Sequence, residues 1–194
     1  MEKTGDADSD MTVWNRAFET LAEIVEYGRK KYGDFAPELF ILDGSTDFMF
    51  DLKVWLDDYM EFLEQEEEQE QLEKVCRKLL KLFAWEKASP SDIRFRLASS
   101  MLSLNKKKEA GDFCERWYGE DENDPAAAAA LIYAWIADRR YKDAQKVVDF
   151  WMDKEGGYTE ENAEVFGAAA VLQNVFPGNG KDIQVQYCSS CNKL

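Results

Sequence analysis

Residues 91–124 read SDIRFRLASSMLSLNKKKEAGDFCERWYGEDEND, and residues 125–158 read PAAAAALIYAWIADRRYKDAQKVVDFWMDKEGGY. The second stretch resembles the first moved on by 34 positions. Leu97 falls on Leu131, Lys108 on Lys142, Ala110 on Ala144 and Trp117 on Trp151. Similar residues meet at Lys106 and Arg140, Glu109 and Asp143, Leu102 and Ile136, Phe113 and Val147. The matches carry weight because they fall on apolar positions and on the turn between two helices. A 34-residue period suits a helix–turn–helix unit, which is too thin to bury its apolar face alone and so stacks on its neighbours. Asp124-Pro125 supplies a cap followed by a proline at the first helical position, and Ser89-Pro90 does the same one unit earlier.

Outward from this pair, the apolar spacing predicts helices on both sides. Val13, Trp14, Ala17, Phe18, Leu21, Ile24 and Val25 mark an amphipathic helix from about Met11 to Tyr32, closed by Gly33. A loop over 33–46 holds one short turn around Pro37–Leu42, with Ser45 or Thr46 as the cap of the next helix. That helix covers about Asp47–Glu68 and includes Met49 on its apolar face; another covers about Glu70–Trp85. The acidic run EQEEEQEQ between them reads either as a boundary or as one uninterrupted long helix. The repeat pair gives helices at about 90–104, 106–118, 125–137 and 142–154, and Thr159 caps a last one ending near Phe176. Its Val165, Phe166 and Ala169 lie 34 beyond Leu131, Ile132 and Trp135. After Pro177 the stretch IQVQY alternates like a short strand. The organisation expected is a disordered 1–10, an α-helical repeat domain over 11–176 and a tail over 177–194.

Composition narrows the function classes. Of the 194 residues, 45% are hydrophobic and 13% aromatic, which is a globular balance. The formal charge of −15 repels phosphate backbones, so neither nucleic acid nor an anionic membrane is an expected partner. Histidine is absent, which removes the commonest general base and the commonest metal ligand together. No apolar run reaches a membrane span, and MEKTGDADSDM has no signal-peptide core. With four cysteines and no export signal, a reducing cytoplasm and free thiols are expected.

The two units are similar to tetratricopeptide repeats. The matching residues are Leu97 and Ala98 with Lys-Glu-Ala at 108–110, then Leu131, Trp135 and Tyr141-Lys-Asp-Ala144. A weaker echo places Cys76 34 before Ala110 and Phe83 34 before Trp117, so the resemblance covers about 70–175. It departs at Ile132, Trp117 and Trp151, where small residues are usual, so the helix crossing should differ. The resemblance implies an all-α fold of antiparallel helix pairs, stacked as a short right-handed α–α superhelix. It also implies a concave face of first helices that binds a peptide or protein segment, lined by Phe95, Ser99, Leu102, Ala129, Tyr133 and Ile136. Members that grip a C-terminal carboxylate use Lys, Arg and Asn there, so that specificity is not carried over. An apolar groove suits an amphipathic helix or a hydrophobic strip. The plainer account is that these residues pack against the chain's own N-terminal helices.

Other constellations say less. Cys188-Ser-Ser-Cys191 looks like one knuckle of a zinc ribbon, but a structural zinc needs four ligands. A complete site would need a second chain, and the motif reads otherwise as an inert tail or a redox pair. The carboxylates of 57–73 read as a solvated helix face, and Lys106–Lys108 with Arg139, Arg140 and Lys142 as helix-end charges that could form a basic edge for an acidic peptide. No phosphate loop or nucleophile elbow is present. The expected function is therefore a non-catalytic interaction scaffold or adaptor without a cofactor. The alternative is a zinc-binding module using Cys188 and Cys191, shared across a dimer.

Overall fold

The computed structural model describes residues 7–45, 47–153 and 158–177. Among these residues the fold is all-α, with nine helices and no strand. The chain divides into two compact units, residues 1–94 and 95–194, where the sequence had suggested one repeat domain over 11–176.

In the first unit, α1 (Ala7–Tyr32) starts four residues before the expected Met11, so 7–10 are helical rather than a disordered leader. Gly33 closes it at φ +67, donating its N–H to the Arg29 carbonyl at 2.9 Å. Gly28 is required by space, since a Cβ there would meet the Phe35 ring at 2.3 Å. The short α2 (Leu39–Ser45) is followed by α3 (Leu52–Gln65) and α4 (Gln69–Leu82). α3 thus begins five residues after the expected Asp47, and Asp51 caps it by accepting from the Val54 N–H at 3.0 Å. Ser45 instead ends α2, and residue 46 lies outside the described residues. The core is large and aromatic: Phe18, Leu56, Tyr59, Met60, Leu63, Leu72 and Leu79 are all buried. Trp14 stacks on Tyr59 with centroids 5.6 Å apart, which pins α1 to α3.

α5 (Ser91–Ser103) carries the division between the units; it opens at Ser91, one residue after the proline expected at its first position. The second unit continues with α6 (Lys107–Glu120), α7 (Pro125–Ala137), α8 (Tyr141–Met152) and α9 (Ala163–Val175). α7 packs on α6, α8 and α9, and Ala127 through Ile132 are all buried. A helix that is apolar all round is expected at the centre of its unit. Asp124 ties successive hairpins together. Its Oδ1 caps α7, accepting from the Ala126 and Ala127 N–H groups, while Oδ2 accepts from the Trp117 indole at 3.2 Å. Thr159 and Asn162 exchange two hydrogen bonds just before α9, and the helix starts at Ala163 with Asn162 at its cap position instead of following directly on Thr159.

The same turn closes three hairpins. Lys106 N–H donates to Met101 O at 2.8 Å and Asn105 N–H to Leu102 O at 2.9 Å. Thirty-four residues on, Arg140 donates to Trp135 O at 2.8 Å and Arg139 to Ile136 O at 3.0 Å. Asn105 and Arg139 adopt the left-handed conformation at φ 59 and 61, which is the Schellman way of ending a helix. Between α3 and α4, Glu68 donates to Leu63 O at 2.9 Å and Glu67 to Glu64 O at 3.2 Å, with Glu67 at φ 59. The acidic run is therefore a turn and not one long helix. Counted from these turns, Cys76 corresponds to Cys114 at a distance of 38, not to Ala110 at 34. The four extra residues sit in the α4–α5 loop, 83–90, against 121–124 between α6 and α7.

Candidate functional site: a cleft between alpha5 and alpha7

Within the second unit a cleft of about 430 Å³ runs between two first helices. Phe95, Ala98, Ser99, Leu102 and Ser103 line it from α5, and Ala130, Tyr133, Ile136 and Ala137 from α7. The three- and four-residue spacing places each set on one helical face. Five of the six residues assigned to a groove from the sequence lie together here: Phe95, Ser99, Leu102, Tyr133 and Ile136. Ala129 does not. It has no exposed surface, because the first turns of α7 are enclosed, and Ala130 lines the cleft instead. Ala98, Ser103 and Ala137 were missed; as small residues they carry no periodic signal of their own.

Tyr133 gives the cleft its shape. Its ring meets Phe95 edge-on, with centroids 6.4 Å apart at 80°. Ser99, Tyr133 and Gly167 occupy one repeat position 34 residues apart, and a Cβ on Gly167 would lie 3.7 Å from the Tyr133 hydroxyl. A large residue between two small ones leaves space on either side. Burial, and then the Glu164 charge, raise the Tyr133 phenol above its usual pKa, so it stays a neutral donor. The cleft thus offers apolar surface edged by the hydroxyls of Ser99, Ser103 and Tyr133.

Beside the turns, Arg140 is held in place. Its guanidinium lies 4.7 Å over the Trp135 ring and binds both Glu115 and Asp143, while Trp135 donates to Glu115 at 2.9 Å. The hydrogen bonds from Trp135 and then Arg140 hold the Glu115 carboxyl below its usual range. Arg140, though exposed, is thereby tied to Glu115, Trp135 and Asp143, and Lys107, Lys108, Arg139 and Lys142 are exposed as well.

Elsewhere the chemistry is structural. A narrower recess of about 90 Å³ in the first unit is lined by Leu56, Met60, Trp85 and Ile93 with Glu38, Asp43 and Asp57. Three of its four carboxylates hold structural bonds, the fourth being Asp92: Glu38 accepts from the Glu86 N–H, Asp43 from the Leu52 N–H, and Asp57 from Lys53, all at 2.7–2.8 Å. Cys76 and Cys114 are buried free thiols, and burial pushes Cys114 up to about 12, far from a reactive thiolate. No group of three or more possible metal ligands occurs among the described residues. Cys188 and Cys191, with the strand expected before them, lie outside the described residues. No described helix is long and apolar enough to cross a membrane. Compared with protein-family models, with curated proteins and with solved structures, the chain matches none.

Proposed function

We propose that this chain is a non-catalytic interaction scaffold, tetratricopeptide-like in its second unit, whose helix pairs stack in the right-handed sense. Its α5–α7 cleft receives a short apolar segment of a partner protein. The observation that supports this reading is the Schellman turn recurring after 34 residues at Asn105 and Arg139, with the cleft on the first helices of the two hairpins it closes. The paired helices supply a rigid frame, and the apolar lining with three hydroxyls suits side-chain burial plus a few orienting hydrogen bonds.

The test is selection of random peptides on the purified protein, repeated on Ser99→Glu. Ser99 is exposed on α5, so a charged residue blocks the cleft without entering the core. Apolar peptides should be enriched on the wild type, with binding at least roughly tenfold weaker on the variant, as expected when a buried contact is lost. Enrichment that is equal on both proteins would remove the cleft as the site.

A further inference from the structure

The first unit presents an apolar loop that the cleft chemistry fits. Phe48, Met49 and Phe50 connect α2 to α3 and are 71%, 76% and 62% exposed, and Phe40, Ile41 and Val54 beside them are exposed as well. Exposed apolar clusters of this kind mark interaction surfaces. The loop is also built rather than loose. Asp43, itself buried, accepts the Phe48 N–H on its carbonyl at 2.9 Å and the Leu52 N–H on its carboxylate at 2.7 Å. Asp47 and Phe48 both sit in the left-handed region, at φ 51 and 56, which is unfavourable for an aromatic residue. A strained conformation fixed at both ends holds three apolar side chains out in water.

The loop reads Asp47-Phe48-Met49-Phe50-Asp51, an apolar tip between two exposed carboxylates. Its receptor should therefore be an apolar cleft with a basic border. In the second unit the cleft's lining leads, along the chain, into two turns of net positive charge: Leu102 and Ser103 precede Lys106–Lys108 with Glu109 after them, and Ile136 and Ala137 precede Asp138, Arg139, Arg140 and Lys142. We infer that the 47–51 loop of one copy seats in the α5–α7 cleft of a second copy, with Asp47 and Asp51 facing this basic border. The inference rests on the reading of the cleft as a peptide site and names its occupant. The same carboxylates disfavour an anionic lipid surface as the occupant.

Sedimentation of the full chain over roughly 10 µM to 1 mM covers the affinity range of a small contact of this type. Concentration-dependent association is expected. Phe48→Ser/Phe50→Ser, which removes the loop tip, and Ser99→Glu, which blocks the cleft, should each weaken it tenfold or more. Mixing the two variants should restore a heterodimer, because one supplies an intact cleft and the other an intact loop. Arg139→Glu should weaken association a few-fold; Glu67 holds the same left-handed position in the α3–α4 turn, so glutamate suits that backbone. Circular dichroism confirms that each variant is folded. A wild type that stays monomeric throughout, association that survives in the loop variant, or a mixture that fails to associate would each overturn the inference. So would loop-dependent flotation with phosphatidylserine vesicles. If self-association fails while selected peptides still lose affinity on Ser99→Glu, the occupant is wrong and the cleft reading stands.

Discussion

The two units end their hairpins with one turn, and the second packs far more alanine into them than the first. At the position five residues past the left-handed residue, the first unit has Leu72 and the second has Ala110 and Ala144; all are buried. At the position seven residues before it stand Met60, Ala98 and Ile132. The first core is made mainly of large side chains with stacked rings; the second sets Ala127–Ala130, Ala134, Ala144, Ala168 and Ala169 among Trp117, Leu131, Ile132, Trp151 and Leu172 around one central helix. A turn defined by backbone hydrogen bonds tolerates either filling. What the filling changes is the direction in which each unit fails.

That contrast predicts a crossed result. Leu63→Ala in the first unit opens a cavity and should cost about 2–5 kcal/mol. Ala129→Leu in the second adds volume to an enclosed helix face and should cost about 1–3 kcal/mol. Hydrogen exchange read by mass spectrometry reports each unit separately, and each loss should be confined to the unit that carries the change. Equal sensitivity to enlargement in both units would break the comparison.

The shared turn gives a smaller effect. Glu67→Gly and Arg139→Gly should each stabilise by about 0.5–1 kcal/mol, because glycine adopts the left-handed conformation at little cost. Asn105→Gly should gain less, since asparagine already tolerates it. Urea midpoints measure all three. A loss at any of them would mean that the side chain does more than occupy a turn.

The smallest effect concerns charge, in the network of Glu115, Trp135 and Arg140 in the second unit. Glu115 is held below its usual pKa by Trp135 and Arg140, so its contribution is present above the unfolded value, about 4, and fades as pH falls through the lower folded value. The groups are exposed, so the contribution is at most about 1 kcal/mol. Glu115→Gln should lower stability at neutral pH by at most about 1 kcal/mol and converge on the wild type in acid, so the acid limb of the stability curve flattens. A variant whose acid limb matches the wild type would remove the network from the account.

Much of the second unit was legible because its period is strict. Asp124 as cap and the buried pairs Leu97 with Leu131 and Trp117 with Trp151 follow from residue type and spacing, and five of the six cleft residues from what the repeat resemblance implied. The register of the first unit was not legible. Four extra residues in a loop shift Cys76 from Ala110 to Cys114, and periodicity cannot see through a loop whose length changes. The exposed loop was hidden for a different reason: Phe48-Met49-Phe50 reads as the start of an apolar helix face, and only the Asp43 anchor reveals that the helix begins later.

The sequence by itself determined the helices of the second unit among the described residues and the turns that close its two repeated hairpins. Those properties are local, set by caps, by spacing and by side-chain size at repeated positions. The tertiary structure alone decided that Ala129 is enclosed while Ala130 borders the cleft, and that three large apolar residues stand in solvent. Burial depends on what packs around a helix from every side, and a one-dimensional pattern records only the helix's own faces.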